Sequence, residues 1–282
     1  VSARAFELEW QGGAPERLFR RRRDARDLPW ETLDSKDYPP ALVARARASW
    51  TEGAFSEYCS AAAFADVQKA LLEVGAPIDL IGAAGEFVAD EMLHVELNAR
   101  VVMALGGAPP VRVDLEAMTP RPTPGLDALQ RASDVVVRTC CVGEALSVPL
   151  IGGTRAAARH SLVGAVLERI VHDEGPHAAL GGWFLEWAND RFDDAERARL
   201  ADVALDALGG VAARWRDLGP PSPDGVVTDE GFLVSDVNAL GWLDAGDYLQ
   251  VARRAVRERV VEPLARFGIE LTPARVDSVL PG

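Results

Sequence analysis

From Ala41 onward the chain repeats small and apolar residues at three- and four-residue spacing. In the stretch "ALVARARASWTEGAFSEYCSAAAFADVQKALLEVG", Ala54, Glu57, Ala61, Phe64, Gln68 and Leu71 fall on one helical face. Gly75 and Pro77 end this helix and open the next. The second helix runs from about Ile78 to Leu105, where Gly106-Gly107 and Pro109-Pro110 stop it. Prolines recur too often between Gly106 and Gly125 for a regular helix. So long a connection inside a compact domain points to a crossover. A helix of about 28 residues spans about 42 Å, and twenty extended residues reach at most ~66–72 Å, so the chain can climb back alongside it. A third helix is predicted from about Leu126 to Pro149, followed by a loop holding Gly152-Gly153. A fourth, N-capped by Ser161, is predicted over Leu162 to about Asn189. Hairpin, long crossover, hairpin is the connectivity of an all-α four-helix bundle with one crossover.

The flanks read differently. Residues 1–40 mix charge, Pro and Gly and are predicted to form an irregular arm. Residues 41–190 make the bundle, and 191–282 a C-terminal helical extension. Its helices are expected near Asp194–Leu208 and Asp247–Phe267, the second kinked at Pro263, with a loop over Gly219–Asp236. No separate core is evident there, so the extension should pack on the bundle within one domain. A chain of 282 residues, 48% hydrophobic, can bury that much core.

Charge and cysteine narrow the function classes. The net charge of −13 argues against a nucleic-acid partner, which needs a basic footprint. The exception is the cluster Arg17–Arg23, which has the charge to bind phosphate or acidic lipid. A salt-bridged arm is the reading we expect for it. No run of about 18 apolar residues marks a membrane span, and no positive-then-apolar leader opens the chain. We expect the natural N-terminus to lie upstream of Val1. Three cysteines, Cys59, Cys140 and Cys141, make no disulfide framework, and a reduced, cytoplasmic setting is expected.

The chemistry lies in two matching stretches. "DEMLH" at Asp90–His94 and "DEGPH" at Asp173–His177 use two of only four histidines. Residues i and i+3 share a helix face, so Glu91 with His94, and Glu174 with His177, can each aim a carboxylate and an imidazole at one point. One such pair is weak evidence; two on two long helices are strong. The remaining helices each offer a glutamate. Glu57 and Glu91 lie equally far from residue 74, where the first hairpin turns, and Ala54 and Ala61 flank Glu57 on its face. Glu52 is the weaker candidate. On the third helix Glu144 sits among small and apolar residues in "CCVGEALS", with Asp134 in reserve. Glu144 and Glu174 are centred on residue 159 rather than on Gly152-Gly153. Four carboxylates and two imidazoles around one core point describe a dinuclear metal site, and mixed oxygen and nitrogen donors suit iron, or manganese, better than structural zinc. A ligating histidine usually gives its second N–H to a carboxylate. Asp90 is placed to orient His177, and Asp173 to orient His94. The competing reading is a buried polar network or unrelated surface acids. His160 falls in a loop, and His172 should face away from Glu174. Trp50, Tyr58, Phe87, Trp183 and Trp187 are expected in the core.

Glu57, "DEMLH", Glu144 and "DEGPH", over about residues 41–190, resemble the ferritin-like di-iron carboxylate superfamily. The resemblance implies two iron ions and chemistry with dioxygen or peroxide on a small organic substrate, with an electron donor and a homodimer both possible partners. Ferroxidase or peroxide scavenging is the alternative within the superfamily; a metal-free helical interaction protein is the alternative outside it. Some 130 residues beyond the bundle set the chain apart from storage ferritins. Arylamine N-oxygenases of the superfamily carry a third histidine where this chain has Ile170. Finally, Pro176 lies between the second Glu and His. It removes an N–H and crowds the His172 carbonyl, which predicts a kink or π turn there.

Overall fold

A computed structural model describes residues 3–21, 23–115, 118, 123–216 and 218–281. Arg22 of the basic cluster and much of the crossover, 116–117 and 119–122, lie outside the described residues. The architecture is all-α, a ferritin-like helical bundle. In chain order, α1 is Gly13–Arg20, α2 Pro40–Val74 and α3 Ile78–Ala104. Then come α4 over Ala128–Ala157, α5 Ser161–Ala188 and α6 Asp194–Trp215. The extension continues with α7, Val234–Ala239, and α8, Ala245–Ala255; α8 runs on through a π turn at Val256–Val261 into Glu262–Ala265, and α9, Pro273–Val279, follows. The long helices α2–α5 form the bundle. α2 packs on α3 and α4, and α5 packs on α3 and α4.

The helix ends follow from local chemistry. Gly75 stops α2 in the left-handed conformation, φ 67°, returning its N–H to Leu71 and Leu72. Asp127 and Gln130 form a reciprocal capping box that starts α4. Asp193 caps α6 through Glu196 N–H.

Several expectations are corrected. The third helix does not stop at Pro149; it continues through Gly152-Gly153 to Ala157. A Cβ at residue 153 would stand 3.3 Å from Val251 and 3.4 Å from Leu243, so the extension packs closely on this last part of α4. The α4–α5 turn therefore falls at residues 158–160, centred on residue 159, and Glu144 and Glu174 are equidistant from it after all. His160, not Ser161, caps α5, its ring accepting the Leu162 N–H. The arm is not wholly irregular: it contains α1, and Arg4–Ala5 (β1) pairs antiparallel with Arg112–Val113 (β2) of the crossover. Pro263 produces no simple kink; the helix widens into the π turn just ahead of it. α4 is long and apolar enough to span a membrane by length and composition, but half of its most apolar window is buried in the fold and Glu144 lies at its middle.

Two apolar clusters make the core, one at each end of the bundle. One joins Leu42–Trp50 of α2, Leu93–Leu105 of α3 and Leu162–Ile170 of α5 with Ala25 and Leu33 of the arm. The other joins Phe64–Leu71, Leu80–Phe87, Ala132–Leu150 and Leu180–Ala188 with the apolar faces of α6, α8 and α9. Between them α2, α3 and α5 each change from one cluster to the other, and at those crossings stand Glu57, Glu91 and His94, and Glu174 and His177. Trp50 and Phe87 are core residues as expected, whereas Trp183 is 44% exposed.

Candidate metal centre

α2, α3, α4 and α5 bring all six sequence-predicted donors to the polar layer. Glu91, His94 and His177 are 0% exposed, Glu174 1% and Glu144 5%; Glu57 keeps partial access. Their donor atoms form two sets. Glu57, Glu91, His94 and Glu174 make one; Glu91, Glu144, Glu174 and His177 make the other, with the atoms of each set within 4.8 Å of one another. Glu91 and Glu174 belong to both. One glutamate and one imidazole belong to a single set each: Glu57 with His94, and Glu144 with His177. Two shared carboxylates with one glutamate–imidazole pair in each set could hold two cations.

The donors are oriented for a cation rather than for each other. Nδ1 of His177 lies 2.9 Å from Glu91 Oε1, and Nδ1 of His94 3.3 Å from Glu174 Oε1. Yet both Glu91 oxygens and all four imidazole nitrogens of this pair are buried without a hydrogen-bond partner. Such orphaned atoms are costly. Close approach with misaligned hydrogen-bond geometry is what lone pairs converging on a common point produce. The residues present therefore fit a metal pair.

Electrostatics agree. Burial, then the Glu91 charge, pushes the Glu57 carboxyl well above the usual carboxylate range. Burial, then Glu174 and Glu91, does the same to Glu144. Burial works against protonating His94, but Asp173, Glu174 and Glu91 outweigh it, and its pKa stands well above the ordinary value. At His177 burial is likewise outweighed, by Asp90, Glu174 and Glu91, and the pKa rises to about 10. Glu174 is held below its usual range despite burial, by His177 and His94. Burial thus favours the neutral form of Glu57 and Glu144, and nearby cations would favour their charged form instead.

Each histidine turns its far nitrogen to the opposite motif's aspartate. His94 Nε2 is 3.5 Å from Asp173 Oδ2, and His177 Nε2 is 3.7 Å from Asp90 Oδ2. These aspartates have cationic partners. Arg23 of the arm donates to Asp90 at 2.8 Å, and Arg169, one turn before Asp173, donates to it at 3.1 Å. Despite burial, His177 and Arg23 hold Asp90 below its ordinary pKa, and His94, His172 and Arg169 do so for Asp173. The exposed ring of His172 touches Asp173 rather than the centre, at 3.0 Å.

The structure adds residues that sequence reasoning did not select. Ser147 Oγ donates to Glu144 Oε2 (3.3 Å) and lies 3.2 Å from Glu174 Oε2, linking two donors. Its i+3 spacing from Glu144 was the available signal. Phe64 and Phe87 wall His177, with ring centroids 5.1 and 4.3 Å from the imidazole. Asn98 ties the His94 carbonyl at 2.9 Å. The alternatives fall away: Glu52 is exposed, and Asp134 is engaged by Arg199 (2.9 Å) and Arg138 (3.3 Å). Tyr58 packs edge-on against Phe6. The predicted π turn is absent at Pro176, where α5 runs unbroken over Ser161–Ala188. A π turn lies instead on α4, Val137–Glu144, and ends on the glutamate itself. The basic cluster is salt-bridged: Arg20 binds Glu96 and Glu16, and Arg23 binds Glu86 and Asp90.

No family model matches the chain, and no curated protein matches it in sequence. Among solved structures, it is similar to "Protein 19 with aldehyde deformylating oxidase activity from Synechococcus", at 15% identity and a TM-score of 0.57, over 88% of this chain and 98% of that one. At that identity the likeness speaks for the fold.

Proposed function

We propose that this chain is a non-haem di-iron oxidase or oxygenase that uses dioxygen to oxidise a small organic substrate. One observation carries the reading: two buried donor sets sharing Glu91 and Glu174, whose imidazole and Glu91 donor atoms have no other partners. The named activity of the structural neighbour supports it, and makes an aldehyde the first substrate to try. In this reading Glu57, Glu91, His94, Glu144, Glu174 and His177 hold two iron ions, or manganese. Iron in that setting supplies the electrons that activate dioxygen or peroxide.

The chain's own residues do the rest. Asp90 and Asp173 fix the orientation of His177 and His94. Arg23 and Arg169 keep those aspartates charged. Ser147 restrains Glu144 and Glu174. Phe64 and Phe87 exclude water from the His177 side. An outside electron donor, a homodimer and a reducing cytoplasmic setting, in which the three free thiols persist, complete the proposal.

The test is reconstitution with Fe(II) under anaerobic conditions, metal analysis, then dioxygen uptake with a panel of aldehydes and other small organics. About two irons per chain with substrate-dependent oxygen consumption is the expected result. Fewer than about one iron or manganese per chain would reject the metal reading. Iron oxidation that no organic substrate alters would favour a ferroxidase.

A further inference from the structure

The two halves of the bundle repeat, and the repeat extends beyond the ligands. An offset of 83 residues carries Glu91 onto Glu174, and the same offset carries Met92, Val95, Ala99 and Val102 onto Gly175, Ala178, Gly182 and Leu185. The first four line one cavity, and the second four line another. The offset of 87 that carries Glu57 onto Glu144 also carries Ala54, in the first cavity, onto Cys141, in the second. Each half thus has a groove on its outer face, lined by residues next to or one turn from its own donors in sequence and by none of the six donors themselves. The covers of the two grooves differ.

The groove of the second half encloses about 420 Å³ and is overlaid by the extension, with Glu258, Arg259 and Arg266 among its walls. The groove of the first half encloses about 810 Å³, within the range of sites for drug-sized ligands. Its roof is the arm, through Phe6, Leu8, Trp10 and Phe19. Its mouth presents exposed apolar groups to solvent, Leu8 at 43%, Trp10 at 52% and Met103 at 69%, between the exposed Glu7 and Glu9. Exposed apolar rims around a cavity mark binding sites. Its floor includes Ala54, one turn from Glu57, and Val95, next to His94.

Charge selects among apolar ligands. Glu7, Glu9, Glu16 and Glu96 line the cavity. Among the described residues that line it, Arg100 is the one cation, and it is bound to Glu96 at 2.8 Å. Arg20 also binds Glu16 and Glu96, so the excess negative charge lies with Glu7 and Glu9, and a carboxylate brought here would be desolvated beside it. A neutral or cationic end would not.

We propose that the cavity between the arm and the α2–α3 face binds the organic substrate, an apolar molecule with a neutral or cationic polar end, and presents it to the Glu57–His94 side of the centre. The proposal rests on the oxidase reading for the word substrate; the binding itself does not. The arm is then part of the binding site, clamped over the groove by Arg20 on Glu96 and Arg23 on Asp90.

Calorimetric titration of the metal-free protein with decylamine, decanol and decanoate, each below its aggregation concentration, tests the site. Decylamine and decanol should bind, and decanoate about tenfold or more weakly. Ala99→Trp fills the cavity and should weaken decylamine about tenfold. Trp10→Ala, which removes a half-exposed ring that meets Phe19 and Arg20 of the arm, should weaken it as well. Equal affinity for decanoate, or affinity untouched by both substitutions, overturns the proposal. In cobalt-loaded protein, saturating decylamine should alter the visible cobalt bands. Unaltered bands with intact binding would separate the cavity from the centre and overturn the substrate role. Failure to take up cobalt would instead strike the metal reading, with the calorimetry still deciding the cavity.

Discussion

At the scale of single residues, the symmetry of the donor set makes separable predictions. Glu57 and Glu144 each belong to one donor set, while Glu91 and Glu174 belong to both. Glu57→Ala or Glu144→Ala should therefore lose roughly half the bound metal, and Glu91→Ala nearly all of it. Metal analysis after reconstitution checks this, and equal loss from all three would show that the bridging and terminal roles are misassigned. The buried thiols make a second prediction. Burial pushes Cys141 up to about 12 and Cys140 well above the ordinary thiol value. The thiolate is the reactive form, so at pH 8 a disulfide reagent should titrate at most Cys59 in the native protein and all three thiols after denaturation. The sequence made the six donors legible because Glu-x-x-His has a fixed helical geometry and Glu57 mirrors Glu91 across a sharp turn. Ser147 and Arg23 were not legible. A serine is an ordinary helix neighbour, and Arg23 reaches Asp90 from an arm whose path no periodicity encodes.

At the scale of elements, Pro176 predicts an irregular turn on α5, and the structure has it on α4. Gly175 and Pro176 face solvent, so water can satisfy the His172 carbonyl that proline leaves without a donor. α5 is also anchored in a different apolar cluster on each side of the motif, which resists the extra residue a π turn inserts. Pro176→Ala should therefore raise stability by about 1–3 kcal/mol, measured by denaturant unfolding, without loss of metal. α4 does carry the π turn, and Gly181 of α5 shows what holds it. A Cβ at residue 181 would stand 2.6 Å from Cys141 Sγ and 3.2 Å from Cys141 N. Helix propensity favours Gly181→Ala by about 1 kcal/mol, but the clash should win and cost about 1–3 kcal/mol. Cys141→Ala in the same chain should recover part of it. A stabilised Gly181→Ala would show that the π turn yields freely.

At the scale of the whole molecule, the polar layer divides the core in two, and segments outside the bundle cover both ends. The arm and α7, through Ala25, Leu33 and Val237, pack on one cluster, and α6, α8 and α9 on the other. Metal in the dividing layer should therefore be felt globally. Ions that bind only the folded state stabilise it by about 2.7 kcal/mol at a hundredfold excess over Kd. Chelated protein should melt lower than reloaded protein, and the difference should vanish in Glu91→Ala. Arg20 and Glu96 are 8% and 7% exposed at the side chain and bonded at 2.9 Å. Arg20→Ala should loosen the arm at a cost of about 1–3 kcal/mol, seen as faster proteolysis near residues 10–20; Arg100 stays on Glu96 and limits the loss. By itself the sequence determined the four long helices, their crossover connectivity and the inward placement of six donors, because helical periodicity is a local rule and two hairpins reflect it. Only the tertiary structure decided where α4 ends, which helix carries the π turn, and which half of a nearly symmetric site has an open cavity beside it. Those depend on what packs against each helix from distant parts of the chain, and no local pattern records that.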